Sequence, residues 1–211
     1  MVAPLRSTVL IKRGAEADLV RTEFLCRPAV AKRRVPKGYR LKALDDELRR
    51  SRIRMEARLM SEARSAGVSV PILYDIDSAE GTVVMEFIAG PTVKEIFDRG
   101  GTTAAKTART LGRIVGRLHR AGIVHGDLTT SNMIVRDRRI VLIDFSLGAK
   151  DDRAEARGVD LHLLREALVS AHARATTYYR EVLRGYRETM GKETDAVLAA
   201  IRDIEGRGRY T

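Results

Sequence analysis

Two short stretches hold the residues best suited to chemistry: His125-Gly126-Asp127-Leu128-Thr129-Thr130-Ser131-Asn132 and Leu142-Ile143-Asp144-Phe145. Between them, Asp127, Asn132 and Asp144 supply two carboxylates and a carboxamide, all hard oxygen donors. Such donors hold Mg2+ against phosphates, and a carboxylate can also orient an attacking hydroxyl or water; phosphoryl transfer from ATP needs both functions. A single Asp-x-x-x-x-Asn reads equally well as an acid and an amide in a surface turn, so it is the combination that points to chemistry. His125 reads as a brace of this loop through hydrogen bonds rather than as a proton carrier. His119, His162 and His172 lie on helical segments without paired ligand spacing and read as surface or core histidines. The lone Cys26 allows neither an internal disulfide nor a thiolate metal set.

These side chains need elements to position them. Met133–Val135 and Ile140–Ile143 are short apolar strands joined by Arg136-Asp137-Arg138-Arg139, a hairpin with Asp137 in its turn. The loop ahead of it places Asp127 and Asn132 at one end, and the return strand brings Asp144 back to that end. Upstream, Thr103 to Ala121 carries Leu111, Ile114, Val115 and Leu118 at amphipathic helical spacing, with Gly122 as its left-handed cap. The first third reads as strands over Thr8–Lys12, Asp18–Leu25 and Pro28–Arg34, broken at Gly14. Asp45 and Asp46 are placed to cap a long helix ending near Gly67, with Leu48, Met55 and Leu59 on one stripe and Ile53 and Met60 beside it. Val83–Ile88 has the apolar run of a strand buried on both sides, and Ala89-Gly90-Pro91 after it is a candidate hinge. Arg153 to Arg202 is helical in composition, and the basic tail Gly206 to Tyr210 reads as a free terminus.

A chain of 211 residues can bury one substantial core or two modest lobes. No apolar stretch is long enough to cross a bilayer and the first twelve residues lack a secretory core, so the expected location is cytoplasmic, with no membrane partner. The net charge of +11 favours an acidic partner such as nucleic acid. Much of it falls between Arg27 and Arg54, where eleven Lys or Arg face Asp45, Asp46 and Glu47. A solvated, arginine-rich face is the alternative reading of that run.

The octet HGDLTTSN with the later IDFS resembles the protein-kinase superfamily, standing where its members have H-R-D-L-x-x-x-N and D-F-G. The resemblance implies an α+β, minimal bilobal kinase-like fold. Residues 1–88 form an N-lobe of antiparallel sheet and one long helix, and 89–211 form a reduced, mainly helical C-lobe, with Mg-ATP bound between them. Asp127 would orient the nucleophile, and Asn132 and Asp144 would bind Mg2+. Ala29-Val30-Ala31-Lys32 looks like the third-strand lysine motif, so Lys32 would neutralise phosphates with Glu56 as its ion-pair partner. Gly14, Ala15, Glu16 and Ala17 stand at the phosphate loop, where Glu16 would repel phosphate unless it turns away or pairs with a lysine. Leu19, Met85, Glu86 and Ile88 would line the nucleotide pocket, with backbone groups of Glu86 and Ile88 reading the base. Three residues depart from the pattern. Ser146 replaces a glycine, which reduces backbone freedom; Thr129 stands where a γ-phosphate lysine is common; and Ala156 stands where an acid is expected.

A narrower resemblance rests on Lys32-Arg33-Arg34-Val35-Pro36-Lys37-Gly38-Tyr39-Arg40, on HGDLTTSN, and on Glu155-Ala156-Arg157-Gly158-Val159-Asp160-Leu161. Together they are similar to the small atypical serine/threonine kinase of the KEOPS complex, the PRPK-type family, over essentially the whole chain. That implies an autophosphorylating kinase or ATPase acting beside the threonylcarbamoyl-transferase subunit and other KEOPS subunits in the making of threonylcarbamoyladenosine in tRNA. The basic surface and tail would contact tRNA. Two other readings share some of the residues: a small-molecule phosphotransferase of the aminoglycoside or choline kinase type, and a tRNA-binding scaffold whose kinase fold senses nucleotide.

Overall fold

The first three strands and two later ones pair into an antiparallel sheet in the order β1-β2-β3-β5-β4, with the inward side chains contributed by β2, β3 and β5 while Val9, Leu10 and Ile11 of β1 stay exposed. Its strands are β1 (Arg6–Arg13), β2 (Ala17–Phe24), β3 (Arg27–Arg34), β4 (Leu73–Asp77) and β5 (Thr82–Glu86). These lie in a computed structural model that describes residues 6–14 and 16–207. Ala29, Ala31 and Val84 pack at the centre of the sheet against Phe24 and Tyr74. Leu25, placed in a strand by the sequence reading, is instead half of a two-residue turn. It and Cys26 both adopt positive φ, 47° and 61°, the mirror-image turn that matches strand twist.

Helix α1 (Lys42–Ser65) begins before the expected cap. Asp45 lies inside it, and its buried carboxylate accepts the Lys37 N–H at 3.3 Å and guanidinium bonds from Arg40 at 3.3 Å and Arg49 at 3.0 Å. It anchors the entering chain rather than capping the helix. The buried stripe is also shifted from the expected one: Ile53, Glu56, Ala57, Leu59, Met60 and Ala63 are inside, while Met55 is exposed.

The chain divides into two compact units, Met1–Arg58 with Pro71–Ile88, and Leu59–Val70 with Ala89–Thr211. The second contains α2 (Val93–Arg99), α3 (Gly101–Arg120), β6 (Ile123–Val124), a 3₁₀ turn (Thr130–Asn132), β7 (Met133–Arg136), β8 (Arg139–Leu142), β9 (Ala149–Lys150), α4 (Ala154–Ala171), α5 (Ala175–Met190) and α6 (Glu193–Arg207). Helix α2 opens on a capping box between Thr92 and Glu95. The predicted apolar stripe of α3 is buried, and Leu128, Met133, Leu142, Leu161, Leu164, Leu168, Val182 and Tyr186 fill the same core. Helices α3 and α5 approach closely because each offers a glycine. A Cβ on Gly112 would lie 1.9 Å from the Val182 carbonyl oxygen, and one on Gly185 would lie 1.9 Å from that of Arg109. The β7–β8 hairpin forms as expected but is tighter, since Asp137 and Arg138 alone make the turn, at φ 49° and 61°. Ile143 lies beyond β8. Among the described residues, no helix is long and apolar enough to cross a membrane.

Candidate active site

In the second unit, short backbone pairings carry the reactive loop. Strand β6 pairs with β9, and the next two residues, His125 and Gly126, donate their backbone N–H groups to Asp160 of α4 at 2.7 and 2.8 Å. A third bond to the Asp160 carboxylate, 3.1 Å long, involves His119 Nε2. An ionised carboxylate only accepts, so His119 donates through Nε2, and its Nδ1 lies 2.9 Å from the Tyr186 hydroxyl. Burial pushes the Asp160 carboxyl upward, but the bonds from His119 and the His125 N–H outweigh it and hold the group below the usual carboxylate range.

His125 is fully buried, and burial holds its imidazole below the ordinary range, so the ring is neutral. Its Nδ1 accepts the Asp127 N–H at 3.3 Å, leaving Nε2 to donate to the Ile143 carbonyl at 3.1 Å. One ring therefore ties the backbone at Asp127 to the backbone just before Asp144, and its face lies 4.5 Å from the Phe145 ring. These are the bonds of a brace.

Asp127 and Asn132 are in direct contact, Asn132 Nδ2 donating to Asp127 Oδ2 at 2.8 Å and to the Asp127 carbonyl at 3.1 Å. The hairpin closes the circuit, because the Ile143 N–H donates to the Asn132 carbonyl at 3.0 Å and Asp144 follows directly. Asp144 has φ +64°, a region that non-glycine residues seldom enter, and Ser146 secures it there. The serine hydroxyl donates to Asp144 Oδ1 at 2.6 Å and its N–H to the same oxygen at 3.3 Å. Because Asn132 donates through Nδ2, its amide oxygen is left as an acceptor, and with the carboxylates of Asp127 and Asp144 the loop system carries hard oxygens of the kind Mg2+ prefers. The 3₁₀ turn is fixed by a contact that the sequence reading missed: Thr130 Oγ1 meets His172 Nε2 at 3.2 Å, and His172 Nδ1 meets Asp98 at 2.9 Å. His172 is thus a core histidine with a specific partner in the loop. Its distance from the HGD octet hides it from sequence.

The other candidates lie in the first unit. Lys32 Nζ meets Glu56 Oε1 at 2.6 Å, with both groups buried. Leu19 sits opposite Lys32 in the β2–β3 register. Gly14 starts a turn in which its N–H reaches the Ala17 carbonyl at 3.1 Å; Ala15 lies outside the described residues. Glu16 is paired with Arg52 at 2.9 Å and Arg34 at 3.4 Å, so its charge is neutralised by arginines and not by the lysine first envisaged. Met85 and Ile88 are buried. The Glu86 N–H is already committed to the Ile72 carbonyl at 2.8 Å, which removes that donor from any base-reading set. Arg34, read from sequence as one more cation in a basic run, is buried and belongs to the same network.

A sheet-and-helix unit with a buried lysine–glutamate pair, together with a helical unit holding an Asp-Asn-Asp loop system, defines a protein-kinase-like protein. Residues 29–160 match the model of the RIO domain. Over 210 residues the chain is 42% identical to "KEOPS complex subunit Bud32" of Pyrococcus abyssi, covering 95% of this chain and 96% of that protein. It is 41% identical over 197 residues to "Probable serine/threonine-protein kinase BUD32 homolog" of Archaeoglobus fulgidus, covering 93% and 94%. The chain belongs to the RIO-domain family, among its Bud32 kinase-like members of PRPK type. It also aligns, at 40% identity over 203 residues, with the "Probable bifunctional tRNA threonylcarbamoyladenosine biosynthesis protein" of Methanobrevibacter smithii, covering 96% of this chain but only 37% of that protein's length. In fold it is similar to the Rio2 kinase of Chaetomium thermophilum, solved in an ADP/Mg2+-phosphoaspartate complex, with a TM-score of 0.65 at 16% identity over 98% of this chain and 72% of that one.

Proposed function

We propose that this chain is a Mg-ATP-dependent atypical serine/threonine kinase or ATPase that autophosphorylates and serves the KEOPS complex in forming threonylcarbamoyladenosine in tRNA. The observation that carries this reading is the loop in which Asp127 touches Asn132 while Ile143, next to Asp144, bonds the Asn132 carbonyl. The names of the relatives from Pyrococcus abyssi and Methanobrevibacter smithii support the complex and the tRNA modification.

In this reading residues 1–88 act as N-lobe and 89–211 as C-lobe. Lys32, aimed by Glu56, would neutralise phosphate oxygens, and Gly14 to Ala17 would serve as the phosphate loop. Leu19, Met85 and Ile88 line the nucleotide site, with Glu86 contributing its carbonyl. Asn132 and Asp144 hold Mg2+, which when bound neutralises charge on the transferring phosphate. Asp127 accepts the hydroxyl or water proton and orients that nucleophile, while Asn132 fixes the Asp127 carboxylate through Nδ2. Catalysis is then mostly positioning and electrostatics. Thr129, in place of a γ-phosphate lysine, removes one cation from the transition state and makes intrinsic turnover slow. Partners are the threonylcarbamoyl-transferase subunit, other KEOPS subunits and tRNA, in a cytoplasmic setting.

Asp144→Ala is expected to abolish Mg-dependent ATP turnover with the fold retained by circular dichroism. Asp127→Ala should still bind nucleotide but lose phosphate transfer by about a hundredfold or more. Wild-type turnover in the Asp144 variant would remove the assignment.

A further inference from the structure

Alternation along β3 sends Lys32 and Arg34 to one face, and both are buried, at 6% and 4% exposure. Two buried cations two residues apart repel each other, and each requires a carboxylate. Glu56, at 2% exposure, serves both: Oε1 meets Lys32 Nζ at 2.6 Å and Oε2 meets Arg34 Nη2 at 2.9 Å. Arg34 Nη1 continues to Glu16 at 3.4 Å, and Glu16 is gripped by Arg52, one helical turn before Glu56 on α1. A line of alternating charge thus joins the β1–β2 turn, β3 and α1, with one carboxylate shared by two cations at its buried end.

A lysine that neutralises phosphates while paired to its glutamate divides its charge between the two, and a buried carboxylate that is only partly neutralised is costly. We infer that Arg34 is a positioning residue: it keeps Glu56 satisfied and aimed while Lys32 shares its charge with the nucleotide, and it holds Glu16 in the same frame. The inference rests on the role of Lys32 proposed above. An arginine suits this task because its fork reaches two carboxylates at once, whereas a lysine in its place serves one.

Calorimetric titration with Mg·ADP, with thermal midpoints recorded alongside, tests it on wild type, Arg34→Lys, Arg34→Met, Lys32→Met and the Lys32→Met/Arg34→Met double variant. Either Arg34 change is expected to weaken Mg·ADP binding by about tenfold, the scale of one charge-assisted hydrogen bond, with Arg34→Lys the milder. In the Lys32→Met background the Arg34 change should cost no further affinity, because its effect acts through the lysine. Should Arg34→Met not fold, Arg34→Lys carries both arms of the cycle. Variants that melt earlier but bind as wild type, or that lose the same affinity with Lys32 absent, reduce Arg34 to a structural residue and overturn the inference. Wild-type protein that fails to bind Mg·ADP overturns the nucleotide reading, and this inference with it.

Discussion

Asp127 and Asp144 are held by neutral neighbours, Asn132 and Ser146, while His125, the histidine that braces the loop, has its charge settled by burial. Its folded-state value lies below its ordinary 6.5 and the ring stays neutral. The contribution to stability is therefore complete above about pH 6.5 and is lost as pH falls through and below it, because the unfolded chain then takes up a proton that the folded chain refuses. The thermal midpoint should drop between about pH 7 and about pH 5, and His125→Gln should flatten that slope; an unchanged slope would place the titration elsewhere. At this scale the sequence was legible where a motif is local. Asp127, Asn132 and Asp144 share one hairpin end, so spacing alone brings them together. Asp160 and His172 act on the same loop from 35 and 42 residues away, and no local spacing connects them. Arg34 was hidden for another reason: within a run of cations, sequence does not tell which one turns inward.

At the level of elements, periodicity located strands and helices better than their ends. The two tight turns, Leu25-Cys26 and Asp137-Arg138, lack glycine; Asp137 marks the second, whereas nothing in Leu25-Cys26 signals positive φ. The start of α1 was misplaced because Asp45 acts as an internal anchor with three donors, a role that shares its residue preference with capping. The apolar stripe of α3 was legible, but the small residues Ala104, Ala108, Gly112 and Gly116 at every fourth position were not read as a seam. They let α5 sit against backbone. Gly112→Ala should consequently destabilise by about 3 kcal/mol or more, by forcing apart helices that cannot yield a Cβ's width, measured by urea unfolding. A loss under about 0.5 kcal/mol, the surface norm, would mean that the seam relaxes.

Over the whole molecule, charge is the dominant feature: the excess of +11 survives extensive internal pairing. Lys32 and Arg34 are buried and Arg40 and Arg49 are held by Asp45, whereas Arg33, Arg50, Arg54 and Arg58 remain exposed. The basic run is therefore partly internal wiring and partly open surface. The proposed binding of tRNA would weaken steeply with salt, and deleting residues 206–211 should reduce both affinity and the steepness of that dependence. Equal affinity without the tail would shift the contact to the exposed arginines.

The segment from Asp144 to Gly148 is clasped at both ends. A Cβ on Gly126 would strike the Leu147 carbonyl oxygen at 2.1 Å, and one on Gly148 would come within 2.9 Å of Leu59. Phe145 between them is 1% exposed. Any compound that works by prising this phenylalanine out of its seat would have to move the Leu147 backbone or Leu59 along with it.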